Sequence, residues 1–540
     1  MSTRQWTYNQ EDAIEARGGT LLVSAAAGSG KTAVLVQRVI ERITDTENPT
    51  NADRLLVVTF TKAAAAEMQS RIASEISYLL EKDPMNVNLQ RQQILLTRSH
   101  ISTIHSFCSE LIKENFYKLG IAPDFRIIED TEMQLLRSDA FESVLEDFYS
   151  SGDIEFLNLV ETFSTGRDDV RIIKAVNNLY DFVRSHPFPK RWLKDKANMY
   201  KTGNCACDTV WGKTLLSYGK DVIDYSISLT QNSLKLMEED EKIEQAYSEG
   251  FNSDLAGLSS LKEEINSKNW DNIKEQTNNF TYKRLKSLRG YKDDPLKNKI
   301  QSSRKEVQSA IKKLASLFSE TKEQCGEDIN KLSPIMDKLV EVTEKFGEKL
   351  EQLKKERHAA DFSDLEHYAI KLLINEKEDG FEPTQDALEI SSMFDEVMVD
   401  EYQDTNEAQD MIFRAVSRNE KNLFMVGDVK QSIYRFRQAM PQIFLRRREL
   451  YPNYERSKDE YPACVVLDKN FRSRKGVTET VNFVFRQLMS KQTGELDYTE
   501  EEELKAGADY PRCEETSAQL DIIDLSSIDD NEDKDMIKAE

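Results

Sequence analysis

A short apolar run over residues 20–24 leads directly into Ala25-Ala26-Ala27-Gly28-Ser29-Gly30-Lys31-Thr32, and a periodic helical segment over 32–43 follows. No other feature of this chain restricts its fold so strongly. A strand that turns into a helix through glycines points successive backbone N–H groups inward, at the positive end of a helix dipole. That arrangement is a nest for phosphate. Ala25, Ala26, Ala27, Gly28, Ser29 and Gly30 are then the wrapping residues. The Lys31 ammonium reaches the β- and γ-phosphates, and the Thr32 hydroxyl holds Mg²⁺. ATP and Mg²⁺ are the cofactors this predicts. The general pattern has glycine where Ala25 stands, so the loop is a variant form.

The texture around the loop alternates short apolar strands with helices. Strands are expected over 55–60 and 99–104, an alanine-rich helix over 62–80, and another helix from His105. Such alternation predicts α/β structure with a parallel sheet. From about 125 to 390 the chain changes to long charged helical segments, such as 132–149 and 302–357. Ile311, Leu314, Leu317 and Phe318 are expected on one amphipathic face there. Strand-like runs return over 394–399, 423–426 and 465–467. The pattern therefore reads as one α/β domain interrupted by an all-helical insertion far longer than an ordinary loop.

At 540 residues the chain has room for several domains or for one with large insertions. No apolar run approaches the roughly 18–20 residues that span a bilayer, and the opening residues carry no signal-peptide pattern. Six cysteines, at 108, 205, 207, 325, 464 and 513, lack the paired spacing of a zinc site. They predict reduced thiols in a cytoplasmic protein. The net charge of −23 argues against a protein that binds nucleic acid through overall charge alone. A groove can still be locally positive. Between Lys430 and Arg448 lie Arg435, Arg437, Arg446 and Arg447, with no Asp or Glu among them. The run reads either as a solvated helix face or as a DNA-facing surface, and its interleaved aromatics favour the second.

ATP hydrolysis needs one carboxylate to hold Mg²⁺ through water and another to orient the attacking water. Asp400 and Glu401 end an apolar strand and suit those two tasks. An Asp-Glu pair after a strand is also an ordinary helix start. The longer string Asp400-Glu401-Tyr402-Gln403-Asp404 is much rarer. The next strand ends in Gly427-Asp428-Val429-Lys430-Gln431-Ser432, which brings the Gln431 amide to where a γ-phosphate is felt.

Further strings fall in order along the chain: Tyr8-Asn9-Gln10-Glu11-Asp12-Ala13-Ile14, the phosphate loop, and Thr59-Phe60-Thr61-Lys62-Ala63-Ala64-Ala65-Ala66-Glu67-Met68. Ser102-Thr103-Ile104-His105-Ser106-Phe107-Cys108 and Asp361-Phe362-Ser363-Asp364-Leu365 come next. The set closes with 399–404, 426–437 and Asn470-Phe471-Arg472-Ser473. Together they resemble the UvrD/Rep-type superfamily 1 DNA helicases, and within them the AddA helicase–nuclease subunits of bacterial AddAB (RexAB) complexes. The resemblance implies a RecA-like P-loop core over 1–120 and 391–465, a helical insertion over 121–390, and the start of a second RecA-like core over 466–540. It implies that Gln10 reads the adenine edge, Phe471 stacks on the base, and Arg472 is an arginine finger. Asp400 would bind Mg²⁺, Glu401 activate water, and Gln431 couple γ-phosphate to DNA. Phe60, Tyr434 and Phe436 would stack on single-stranded bases, although core packing is the plainer role for an aromatic. Thr61, Thr103 and Arg437 would contact backbone phosphate or order the channel. His105 is either a DNA contact or a packed core histidine, and Cys108 is structural.

The same resemblance implies a 3′→5′ single-strand motor that processes double-strand ends for recombinational repair with an AddB-type partner. The family's later motifs and nuclease domain have no counterpart before residue 540. The expectation is an N-terminal fragment that binds nucleotide weakly and hydrolyses little. The acidic stretches 500–503 and 529–533 precede what reads as a helix start over 534–540. A P-loop repair ATPase of another class stays open, though an LSGGQ-like signature is absent. So does a non-catalytic scaffold, which intact Lys31, Thr32, Asp400 and Glu401 speak against.

Overall fold

The computed structural model describes residues 5–163, 168–201, 205–292, 294–377, 380–511 and 518–519. The stretches 529–533 and 534–540 lie outside the described residues, as does Cys513. The chain forms two compact units, Met1–Met133 with Arg184–Pro187 and Leu353–Glu540, and Gln134–Val183 with Phe188–Gln352. Residues 121–133 and 353–390, read from the sequence with the insertion, therefore belong to the first unit, as does the described chain beyond 466.

The first unit is built on six strands: β1 (Leu21–Ala25), β2 (Leu55–Thr59), β3 (His100–Thr103), β4 (Glu396–Val399), β5 (Leu423–Gly427) and β6 (Ala463–Leu467). They form one sheet in the order β6-β1-β5-β4-β2-β3, and every neighbouring pair is parallel. β1, β2, β4 and β5 are buried along their whole length. A parallel sheet covered on both faces demands continuous apolar strands, which is why these runs were readable. The register sets Val23 opposite both Val426 and Val465. The phosphate-loop strand is thus flanked by two strands from four hundred and more residues downstream.

The helices of this unit that bear on the site are α1 (Tyr8–Glu15), α2 (Lys31–Thr44), α3 (Lys62–Lys82), α4 (Ile104–Glu114), α5 (Phe362–Leu373), α6 (Glu407–Val416), α7 (Pro441–Leu450) and α8 (Lys475–Leu488). Apolar positions at helical spacing hold α2 to the sheet: Val34, Leu35, Val39, Ile40 and Ile43 are buried. Each such burial contributes roughly 1.5–3 kcal/mol. Side-chain caps start several helices at strand ends. Thr61 Oγ1 accepts from Ala64 N before α3, and Thr103 Oγ1 accepts from Ser106 N before α4. An Ala at such a position costs about 1 kcal/mol.

The second unit is helical throughout its longer elements, with Val210–Met237, Glu241–Asn266 and Pro295–Leu317 packed on one another. Ile311, Leu314 and Phe318 are buried in it, but Leu317 is exposed. Six residues past Ile311 is about 240° around a helix, so Leu317 faces away from the seam. The five described cysteines are free thiols, and the fully buried Cys108 thiol is pushed well above its usual range by burial. Among the described residues no helix is long and apolar enough to cross a membrane.

Candidate active site

A parallel sheet collects its ligands at the carboxyl ends of its strands. Here all six of those ends carry residues singled out above. β1 ends in the phosphate loop, β2 in Phe60 and Thr61, β3 in Thr103 ahead of His105. β4 ends in Asp400 and Glu401, β5 leads to Gln431, and β6 to Phe471 and Arg472.

The phosphate loop closes tightly between β1 and α2. Ser29 N donates to Ala26 O at 3.1 Å and Val34 N to Gly30 O at 2.9 Å. Gly28 and Gly30 have φ of 71° and 87°, the left-handed region where a Cβ is unfavourable. At Gly28 space is a second constraint, since a Cβ there would stand 2.8 Å from Asn470 Nδ2 and 2.9 Å from Arg472 Cβ. The Ser29 hydroxyl is buried inside the loop with no hydrogen-bond partner. An orphaned buried hydroxyl in this loop fits a ligand acceptor such as a phosphate oxygen.

Lys31 closes the site across the sheet edge. Its Nζ lies 3.0 Å from Glu401 Oε2 and donates to Gln431 Oε1 at 3.4 Å. Glu401 has φ of 49°, a strained conformation for a residue with a Cβ, of the kind that collects at functional positions. Its carboxylate also accepts from Gln403 Nε2 at 2.9 Å, and Gln403 Oε1 in turn accepts from Asp428 N at 2.9 Å. Gln431 Nε2 donates to Asp428 Oδ2 at 2.7 Å. The ends of β1, β4 and β5 are thereby joined through one polar network. Burial and the neighbouring Glu401 charge push the Asp400 carboxyl up to about 6, against the pull of Lys31. A cation at Asp400 would favour its charged form. The donor set of Thr32 hydroxyl and Asp400 carboxylate is oxygen only, as Mg²⁺ requires.

A cavity of about 210 Å³ lies beside the loop, lined by Thr7, Tyr8, Asn9, Gln10, Ser29 and Phe471 among others. Gln10 and Phe471, 461 positions apart in sequence, thus share one pocket of base-sized dimensions. Gln10 Nε2 donates to Ser29 O at 2.9 Å and its Oε1 accepts from Thr7 N at 2.9 Å. The amide is fixed in orientation, and it has one further donor and one acceptor site to offer a purine edge. Phe471 N donates to Gly28 O, and Asn470 Nδ2 donates to Ala27 O at 2.7 Å. Asn470 Oδ1 accepts from the backbone of Arg472 and Ser473. The exposed Arg472 is held beside the phosphate loop by that clamp.

On the other half of the edge lies a groove of about 580 Å³, lined by Phe60, Lys62, Thr103, His105, Ser106 and Phe362 among others. Phe60 and Tyr434 have ring centroids 4.4 Å apart, and Tyr434 and Phe436 5.8 Å. The Arg437 guanidinium sits 5.2–5.9 Å from all three rings. Phe436 is 75% exposed, which no core residue is. Thr61 and Thr103 direct their hydroxyls to helix caps, and His105 Nε2 lies 3.0 Å from Glu366 Oε1.

The family model for the UvrD/REP helicase N-terminal domain matches residues 6–452. The chain belongs to the UvrD/REP helicase family. Among curated proteins it is similar to an ATP-dependent helicase/nuclease subunit of Clostridium novyi (strain NT), 41% identical over 99% of this chain and 43% of that protein. The corresponding subunit of Clostridium acetobutylicum is 40% identical over 96% of the chain and 43% of its own length. That of Acetivibrio thermocellus is 40% identical over 94% and 41%. The chain spans less than half the length of these relatives.

In this UvrD/REP-type core the basic run is not one continuous surface. Lys430 pairs with Asp428 and Glu502, Arg448 with Glu502, and Arg447 with Asp410 and Glu420. Those three side chains turn inward because the carboxylates of Asp410, Glu420 and Glu502, and of Asp428 two residues before Lys430, await them. Arg435 pairs with Glu495 at 2.6 Å but stays largely exposed, and Arg446 is exposed. Of the six, Arg437 is the one set among the Phe60, Tyr434 and Phe436 rings. Gln403, Asn470 and Glu366 had no assigned role in the sequence, yet Gln403 and Asn470 bridge site-bearing strand ends and Glu366 joins two of the helices that follow them. Tyr510 and Gly507 were missed as well. Tyr510 Oη donates to Phe471 O at 2.8 Å, and Gly507 packs so closely on the Phe471 ring that a Cβ would stand 2.8 Å from it.

Proposed function

We propose that this chain is the ATP-driven core of a DNA motor that moves 3′→5′ on single-stranded DNA. In the whole protein it would act with an AddB-type partner to process double-strand ends for homologous recombination. Nuclease activity would come from parts of the protein beyond this chain. The observation that carries the reading is the 3.0 Å approach of Lys31 to Glu401, two residues 370 positions apart that meet at one sheet edge. Polarity and pathway rest on the motif resemblance to AddA-type helicases, and a partner subunit is supported by the relatives' names as helicase/nuclease subunits.

The chemistry follows from the chain's own groups. Gln10 and Phe471 hold the base, the loop amides and the Ser29 hydroxyl hold phosphates, and Lys31 exchanges Glu401 for the γ-phosphate. Glu401, released from that pair, is free to accept a proton from the attacking water. Gln431 accepts from Lys31 and stands three residues before Tyr434, whose ring packs on Phe60, so it would link nucleotide to those rings. Thr32 and Asp400 would hold Mg²⁺, which would neutralise charge on the phosphate oxygens.

The test is the ATPase rate of the full-length protein with and without single-stranded DNA, beside Lys31→Ala and Glu401→Gln. Stimulation by single strands is expected. Glu401→Gln should lower kcat about 10²–10⁴-fold while nucleotide still binds. Turnover that ignores both DNA and these two substitutions would overturn the reading.

A further inference from the structure

A buried carboxylate that nucleotide chemistry does not use sits between the two halves of the site. Glu366, on α5, is only 3% exposed. One of its oxygens, Oε1, meets two groups: His105 Nε2 at 3.0 Å and Gln409 Nε2 at 2.7 Å. Burying a carboxylate is expensive unless it is paired or hydrogen-bonded, so these two contacts are what hold it there. They come from different places. His105 stands on the first turn of α4, directly after the Thr103 cap at the end of β3, with its ring 4.9 Å from that of Phe362, which is 55% exposed. Both rings line the groove. Gln409 stands on the first turn of α6, whose Asn406 cap follows Asp400–Asp404 by a short buried turn.

That turn is stiff. Tyr402 and Gln403 are each 1% exposed, and Tyr402 Oη donates to Asp410 Oδ1 at 2.5 Å. A displacement of α6 therefore carries the Asp400–Glu401 strand end with it. A displacement of His105 by anything entering the groove changes the hydrogen bond it shares with Gln409 on Glu366. Two helix starts that end in different ligand sites are joined by a single oxygen.

We infer that Glu366 is a positioning residue that couples occupancy of the groove beside His105 and Phe362 to the geometry of Asp400 and Glu401. The inference rests on the proposed single-strand-dependent ATPase. Because both contacts fall on the same oxygen, what matters is a fixed acceptor rather than net charge. Glutamine can supply that acceptor and alanine cannot.

The experiment compares wild type, Glu366→Ala, Glu366→Gln and Gln409→Met in the full-length protein. It measures ATPase kcat without DNA, kcat at saturating oligo-dT, and the oligo-dT concentration at half-stimulation. The ratio of stimulated to basal kcat is insensitive to the fraction of folded protein, so a purely structural defect leaves it unchanged. Glu366→Ala is expected to lower that ratio at least about tenfold, the factor that corresponds to losing roughly 1.4 kcal/mol of coupling. Glu366→Gln is expected to restore it to within about threefold of wild type, on the scale of a single hydrogen bond. Gln409→Met should reproduce the alanine result and keeps the test intact if Glu366→Ala fails to fold. An unchanged ratio in Glu366→Ala or in Gln409→Met overturns the inference while the proposed function stands. A ratio lost equally in Glu366→Gln overturns the acceptor argument. If wild type shows no stimulation by DNA, the proposed function fails first and this inference with it.

Discussion

Glu396 lies inside the sheet on the strand that ends in Asp400 and Glu401, and it should be costly to remove. Its Oε1 accepts from Arg38 Nε at 2.8 Å and Nη2 at 2.5 Å, and its Oε2 is 2.9 Å from Arg42 Nε. Arg38 is 2% exposed, donates through Nη1 to Ala13 O and Ile14 O, and lies 4.4 Å over the Phe424 ring. One guanidinium thus ties α1, α2, β4 and β5 together. Glu396→Ala leaves that guanidinium buried without a counter-charge, and breaking such a pair costs about 3–5 kcal/mol. At about 1.36 kcal/mol per decade, amide exchange through opening of the first unit should accelerate roughly 150- to 5,000-fold. Hydrogen-exchange mass spectrometry on peptides covering β1 and β5 reads this directly, with peptides of the second unit as an internal control. Replacing the pair together, Arg38→Leu with Glu396→Leu, should recover part of the loss, because the Arg38 charge goes with its partner and only Arg42, whose side chain is 14% exposed, is left without Glu396. Unchanged exchange in Glu396→Ala, or a double variant as damaged as the single, would refute the argument.

Three other outcomes are expected. Gly28→Ala must place a Cβ in left-handed backbone and against Asn470 and Arg472, so affinity for a fluorescent ATP analogue should fall about tenfold, on the order of 1–2 kcal/mol. Phe436→Ala, at an exposed position, should weaken oligo-dT binding by about 1–3 kcal/mol in fluorescence anisotropy and leave the melting temperature unchanged. The His367 imidazole, desolvated by burial beside Arg184 and facing Lys354 and Asp361, is lowered from 6.5 to about 3. The unfolded chain therefore binds more protons between those values. Its contribution to stability is whole above pH 6.5 and is lost as pH falls toward 3. Urea unfolding of His367→Gln across that window should show a flatter pH dependence than wild type.

The residues that could be read in advance are those whose physics is local. A loop that turns strand into helix needs glycines at 28 and 30 whatever surrounds it. A strand covered on both faces is an unbroken apolar run. The observed ends of β2, β3, α2 and α3 differ from expectation by one or two residues, as fraying ends do. The fate of the basic run was not local. Nothing between 430 and 448 shows that Glu502, Asp410 and Glu420 fold against Lys430, Arg447 and Arg448.

The same division applies to the site itself. Side-chain type and spacing along the chain were enough to propose the phosphate and magnesium contacts, and the family resemblance to propose the base contacts, because each motif carries its own chemistry. Which motifs meet was decided by the parallel sheet, which sets β1 between strands from 423 and 463 onward. Glu366 reaches His105 across 261 positions and Asn470 reaches Ala27 across 443. A lone glutamate or asparagine has no periodicity or local partner that marks it. Its role exists only once distant backbone has brought an acceptor and a donor within about 3 Å.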